Sequence, residues 1–364
     1  MRRGSVAVLG VFAIAVIVIL LGMTVDLRHI HNGQEELNRS CDAAALAGCW
    51  ELFDAQTRGL DEQYTEEASL QEAQRFSLAN DVGGSGLQLA SSDFVLGRYD
   101  YYDRTFSTDS DKPHNAVRVF LRRHAESNGE LPLYFGQVLG RASQPLEATS
   151  TAAMLQSIEG FHDLDDGETL DILPFALDLE TWLAVLAGQT EDKFRYSDGV
   201  RSGSNGLHEC NLYPQGTGSP GNRGTVDIGA ANNSTRDLSR QILHGISKQD
   251  LIDLNKPLKL DANGELLLNG DTGISAGVKD ELAAIIGQKR VIPIFSQVTG
   301  NGNNAMYTIV RFAGVRILDV KLTGRMSQKR VIIEPAPMMV RRARVASSES
   351  AASDFLYTPV MLVN

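Results

Sequence analysis

The chain opens on an uninterrupted apolar run. Residues 5–25 carry no charge. The segment VAVLGVFAIAVIVILLGMTV supplies about 20 residues, enough as a helix to cross roughly 30 Å of hydrocarbon. A second pattern follows directly. Ile30, Leu37, Cys41, Ala44, Ala45, Gly48 and Leu52 recur at spacings of three, four and seven, an amphipathic stripe. Gln34, Glu35, Glu36, Asn38, Arg39 and Asp42 lie between them as a solvated face. The spacing predicts one helix running from the apolar run to about Phe53, with its stripe packed on an outer domain. Residues 61–78 supply a second helix.

Past Asp81 the period changes to two. Residues 94–99 read as a strand. In 116–123, Val117, Val119 and Leu121 alternate with Arg118, Phe120 and Arg122, as in a half-buried strand. Residues 131–135 and 146–153 are further strands. Such a sheet has one apolar face, and the helix stripe can cover it. The second half is less regular. Residues 158–175 form an acidic loop, 177–186 a short helix containing Trp182, and 198–223 a Gly-, Ser- and Asn-rich loop. Asn233 or Ser234 can cap a helix that Gly245 stops. Residues 258–268 read as a hairpin around Asn263-Gly264, and 278–286 as a helix. Residues 291–295 and 307–317 read as strands joined by TGNGNN. The tail from Pro335 is less regular.

Charge fixes the expected topology. Arg2 and Arg3 precede the apolar run and Asp26 follows it, which keeps the N-terminus in the cytoplasm and puts the remaining chain outside. A cleaved signal has a shorter apolar core with small residues directly after it. Here the small residues of 43–48 come too late. Leu46-Ala47-Gly48-Cys49 has the letters of a lipobox, but a polar stretch separates it from the run. The net charge of −11 argues against nucleic-acid phosphates as a partner. Three cysteines are no disulfide framework. In one helix Cys41 and Cys49 would stand roughly 12 Å apart along the axis, beyond disulfide reach.

Candidate chemistry is sparse. Gly273-Ile274-Ser275-Ala276-Gly277 matches a nucleophile elbow, yet no histidine follows Ser275 to act as its base. Gly300-Asn301-Gly302-Asn303-Asn304-Ala305 imitates a dinucleotide fingerprint, but a β-branched strand follows where a helix is needed. His208-Glu209-Cys210 has no second cluster at zinc-like spacing. Asp163, Asp165 and Asp166 miss the calcium-loop pattern, since the glycine falls fifth and the twelfth residue is Pro174. No catalytic residue, cofactor or metal is expected.

The opening RRGSVAVLGVFAIAVIVILLGMTVDLRHIHNGQEELNRSCDAAALAGC resembles the TadE/TadG-like proteins of bacterial Flp (tight-adherence) pilus assembly. In that family an apolar anchor runs into an Asp, here Asp26, then a polar helix, then a small-residue segment, here 42–48. NAVRVFLRR, LPLYFGQVLG and EATSTAAM resemble its middle region, and weaker similarity runs on to about residue 325. Cys41 and Cys49 stand where the family has small residues, which implies packing. Type IV prepilins carry a Gly cleavage site followed five residues later by Glu. Leu9 occupies that place after Gly4, which argues for an uncleaved, membrane-retained component. No DxSxS metal string of the von Willebrand type is present.

The expected architecture is α+β: a transmembrane helix extended into a pilin-like helix on an antiparallel sheet, then a second β-rich module. The expected divisions are an anchor at 1–26, the pilin-like part at 27–157, a linker region at 158–225 and a C-terminal module at 226–364. The resemblance implies a non-enzymatic component of pilus assembly or surface adherence in the bacterial inner membrane. Its expected partners are membrane lipid and other assembly proteins, met through lateral helix contacts at Gly10, Ala13, Ala15, Gly22, Asp26, Cys41, Asp42, Ala45 and Gly48. A tethered hydrolase centred on Ser275 and a tethered surface-binding module are the alternatives.

Overall fold

The structure, a computed structural model, describes residues 3–109, 113–214, 224–229, 234–271, 276–300, 302–346 and 352–363. The chain forms two compact units. The first comprises Met1–Met154 and Val360–Asn364, the second Leu155–Pro359.

The first unit is built on helix α1, Arg3–Thr57, 55 residues without a break. At helical rise it is about 80 Å long. Helix α2, Glu62–Ala79, starts where the Asp61 carboxylate accepts from the Tyr64 amide at 3.0 Å, a good N-cap. It runs back along α1, so that Ser69 and Ala73 lie against Gly48 while Ser77 lies against Ser40. Its buried positions are Thr65, Ser69, Ala73 and Ser77, a small-residue row at a spacing of four that lets the two backbones approach closely.

The strand Ala116–Arg123 pairs with Leu146–Ala153 over its whole length, and with Phe94–Asp100 on its other side. Thr105–Ser107 extends one edge of this five-stranded antiparallel sheet and Met361–Val363 the other. The last strand thus returns to the first unit from the far end of the chain. Val117, Val119, Leu121, Leu37, Cys41, Ala45 and Leu52 are fully or almost fully buried. The stripe of α1 therefore covers the sheet, as its spacing predicts. Residues 131–135 differ from expectation: only Leu131–Pro132 is strand, and the segment bends away at a short 3-10 turn, Gly136–Leu139.

The second unit centres on an eight-stranded sheet. Its core strands close on themselves. Ala305–Lys321 pairs with Leu266–Asp271, which pairs with Gly224–Val226, which pairs with Phe175–Asp178. That strand runs parallel to Lys289–Thr299, which pairs again with Ala305–Lys321. Closure leaves no free edge around this circuit. Helix α3, Leu179–Leu186, buries Trp182, whose Nε1 donates to Asp354 Oδ2 at 2.8 Å. Helix α4, Thr235–His244, is capped by Ser234 and ends at Gly245.

The segment 258–268 is not a hairpin. Asp261 organises the turn by accepting from the Asn263 and Glu265 amides at 2.8 and 3.0 Å. The two arms then part: Lys259 bridges to Gly160, while Leu266–Asp271 joins the large sheet. The second unit includes residues 158–214.

Candidate functional site

Helix α1 divides into two parts with opposite surroundings. From Val8 to Leu21 every residue is exposed, and the most apolar window is only 6% buried. The helix leaves Val8, Leu9, Val11, Phe12 and Ile14 bare at 63–72%, an apolar surface that soluble monomers rarely expose. It is long and apolar enough to cross a membrane. From Gly22 onward one face is covered by the first unit itself. The packed face thus begins inside the apolar run, earlier than the stripe from Ile30 that periodicity marks.

The boundary between the two parts is an organised junction. Asp26 is 6% exposed, and its carboxylate accepts from the Tyr134 amide at 2.8 Å and the Phe135 amide at 2.9 Å. The Phe135 ring lies on Gly22, where a Cβ would fall 2.7 Å from Phe135 Cγ. The Tyr134 ring tilts against His29 at 4.8 Å between centroids. One turn on, a Cβ at Gly33 would meet Leu131 Cδ2 at 2.9 Å. Gly22 and Asp26 were legible as candidates, but their partners were not. A cluster of large apolar residues in LYFGQVLG, interrupted by glycines, was the available signal.

The remaining sequence candidates separate by environment. Gly10, Ala13 and Ala15 lie on the bare part of α1, and nothing stands within 4 Å of a Cβ at Gly10. Cys41, Ala45 and Gly48 are enclosed by the chain's own elements. Cys41 Sγ donates to Val119 O at 3.4 Å, and a Cβ at Gly48 would sit 3.0 Å from Phe94 Cε2 and 3.2 Å from the Ser69 carbonyl. The close approach made by these small residues is to α2 and the sheet. Asp42 is half-buried beside them.

All three cysteines are buried and none is in a disulfide. Burial, with a smaller contribution from Asp42, pushes the Cys41 thiol up to about 12, and burial pushes Cys49 up to about 12, from an ordinary 9.0. The reactive species is the thiolate. Three pKa units make it roughly a thousandfold scarcer. Iodoacetamide at pH 8 should therefore leave the Cys41 and Cys49 peptides unlabelled in native protein and label both after denaturation, as read by mass spectrometry. Because the folded values are raised, this stabilising contribution is complete below pH 9 and falls away as pH rises towards 12.

The second unit places the other motifs in structural roles. The Glu209 carboxylate accepts from the Lys193 and Phe194 amides, and His208 Nδ1 lies 2.5 Å from Thr190 O. Asp165 and Glu168 pair with Arg342, and Asp166 with Lys248. Gly300 and Gly302 take positive φ in the tight connection between two paired strands. Among the described residues, no group of three or more His, Cys, Asp or Glu could hold a metal ion. Ser275, with Gly273 and Ile274, lies outside the described residues. In the first unit a shallow groove of about 420 Å³ is lined by Gln74, Gln88, Ser91, Glu126, Ser127 and Asn128 among others.

The geometry defines a class of protein: an apolar, membrane-type helix continuous with an α+β head that packs on its extension. One family model, described as putative Flp pilus-assembly TadE/G-like, matches residues 4–57, and another, putative Tad-like Flp pilus-assembly, matches residues 43–152. Together the two models cover residues 4–152 and support a relationship to the TadE/TadG-like family of Flp pilus assembly over that part of the chain, with a role related to pilus assembly. No curated protein and no solved structure matches the chain.

Proposed function

We propose that this protein is a membrane-retained, non-enzymatic component of an Flp-type pilus assembly or adherence machinery. It is anchored in the bacterial inner membrane with its N-terminus in the cytoplasm and its head outside. The observation that carries the reading is the change along α1, from bare apolar surface before Gly22 to a face packed on the head after it. A continuous helix across that change couples the head rigidly to the anchor. The test is membrane fractionation with external protease on C-terminally tagged protein. Full-length protein retained in the membrane and digested back to about residue 26 supports the topology. Release of a shorter soluble form refutes it.

Lateral contacts with other assembly proteins fall to Gly10, Ala13 and Ala15, the candidates left uncovered. Small residues let transmembrane helices approach closely and pack by van der Waals contact. Changing Gly10 and Ala13 together to leucine should lower co-isolation with assembly partners. The melting temperature of the head should stay unchanged. Undiminished co-isolation would remove these residues from the contact.

A further inference from the structure

The segment Leu133–Ala142 forms a closed tip above the paired residues Leu131–Pro132 and Ser143–Gln144. It is rigidly made. The Leu133 amide donates to Ala142 O at 2.9 Å, the Arg141 amide to Gly136 O at 2.9 Å, and Gly140 takes a left-handed conformation at φ 81°. A Cβ at Gly136 would lie 2.3 Å from Arg141 O, so this turn is tight. Yet, beside Gln137, four of its exposed side chains are large and apolar: Tyr134 is 68% exposed, Phe135 44%, Val138 72% and Leu139 54%. A surface loop has no solvation reason to hold four such residues together.

The position of the tip is fixed by its contacts with α1. Phe135 lies on Gly22, within the last turn of the apolar run, and Tyr134 packs on His29, beyond its end. The tip therefore straddles the level at which the apolar run gives way to polar residues. Like the neighbouring part of α1, where Met23, Val25 and Leu27 are 40–63% exposed, it presents large apolar side chains. Asp26 is the only acid between Ser5 and Gln34, and its carboxylate is turned inward onto the two tip amides. Arg28, two residues beyond Asp26, and Arg141, two residues beyond Leu139, are exposed. Aromatic residues at such a boundary, with apolar residues and arginines close by in the chain, suit an interface of acyl chains and headgroup phosphates.

We propose that the tip Tyr134–Leu139 inserts into the outer-leaflet interface of the membrane that α1 crosses, giving the head a second lipid contact that fixes its tilt and rotation. The occupant is lipid, because the tip is clamped to its own helix at the depth of the hydrocarbon edge and, like that helix, presents large apolar side chains. This inference rests on the anchored topology proposed above.

The test uses full-length protein in phosphatidylcholine–phosphatidylglycerol vesicles, with an environment-sensitive NBD label on one introduced cysteine at a time. Val138→Cys reports the tip, Val16→Cys the apolar run, and Asp54→Cys a point about 42 Å along α1 beyond Asp26. All three sites are exposed, and the native thiols are buried. Lipids spin-labelled near the headgroup should quench the label at 138 strongly. Lipids labelled deep in the acyl chain should quench 16, and neither should quench 54. Quenching at 16 without quenching at 138 overturns the proposal and leaves the anchor intact. A blue-shifted label at 138 that no lipid quenches assigns the tip to a protein neighbour and also overturns it. Absence of quenching at 16 refutes the anchored topology itself.

Discussion

Gly48→Leu is expected to destroy the packing of the first unit. A Cβ at this position already lies 3.0 Å from Phe94 Cε2, 3.2 Å from the Ser69 carbonyl oxygen and 3.3 Å from Ala73 Cβ. Leucine adds three further carbons with no space to receive them. The ring of Phe94 can move, but the Ser69 carbonyl belongs to the backbone of α2 and cannot move without displacing the helix. Overpacking of a close helix contact costs about 3 kcal/mol or more, a large fraction of the roughly 5–15 kcal/mol that holds a domain. Thermal unfolding in detergent should show a large drop for Gly48→Leu and a smaller one for Gly48→Ala. Cellular abundance of the leucine variant should fall with it. A stable, abundant Gly48→Leu protein that fails only in assembly would mean that Gly48 faces another subunit's helix instead of α2.

Trp182→Ala should have a comparable effect on the second unit. The indole is completely buried on α3, edge-on to Phe355 at 6.2 Å. Its Nε1 donates to Asp354 Oδ2, the oxygen that also accepts from Arg311 Nη1 at 2.9 Å. Truncation opens a cavity and leaves Asp354 with one donor fewer, for a total of about 3–5 kcal/mol. Trp182→Phe retains most of the volume and loses the hydrogen bond, at about 1 kcal/mol. Urea unfolding of the two variants should resolve this ordering. Equal midpoints for alanine and wild type would contradict the burial.

Local periodicity made much of the first unit legible. The alternation of Val117, Val119 and Leu121 marks a strand whose observed limits, Ala116–Arg123, are those the pattern predicts. The three–four spacing from Leu37 to Leu52 marks the face of α1 that the sheet covers. The Ser234 cap and the Gly245 stop act within one turn of chain and were equally readable.

The features that stayed hidden depend on distant partners. Nothing local in Met361–Val363 indicates a strand that joins Thr151–Ala153, nor in Phe175–Asp178 one that pairs parallel with Lys289–Thr299. The Asn263-Gly264 turn was visible, but the arms' choice of separate partners was set by tertiary pairing. The same holds at the junction. Asp26 could be marked as the end of the apolar run, while its two amide donors lie 108 and 109 residues away. Small residues in sequence show that something approaches closely, not whether it is another protein or the chain itself. Cys41, Ala45 and Gly48 meet the chain itself, whereas Gly10, Ala13 and Ala15 are left uncovered by it.

The central claim is that an anchored chain serves pilus assembly. Its most direct test counts surface pili in a deletion strain complemented with either the full chain or residues 27–364 exported behind an unrelated cleavable signal. Deletion should abolish pili, the full chain should restore them, and the released head, present at equal abundance, should not. Normal piliation in the deletion strain, or full rescue by the soluble head, would contradict it.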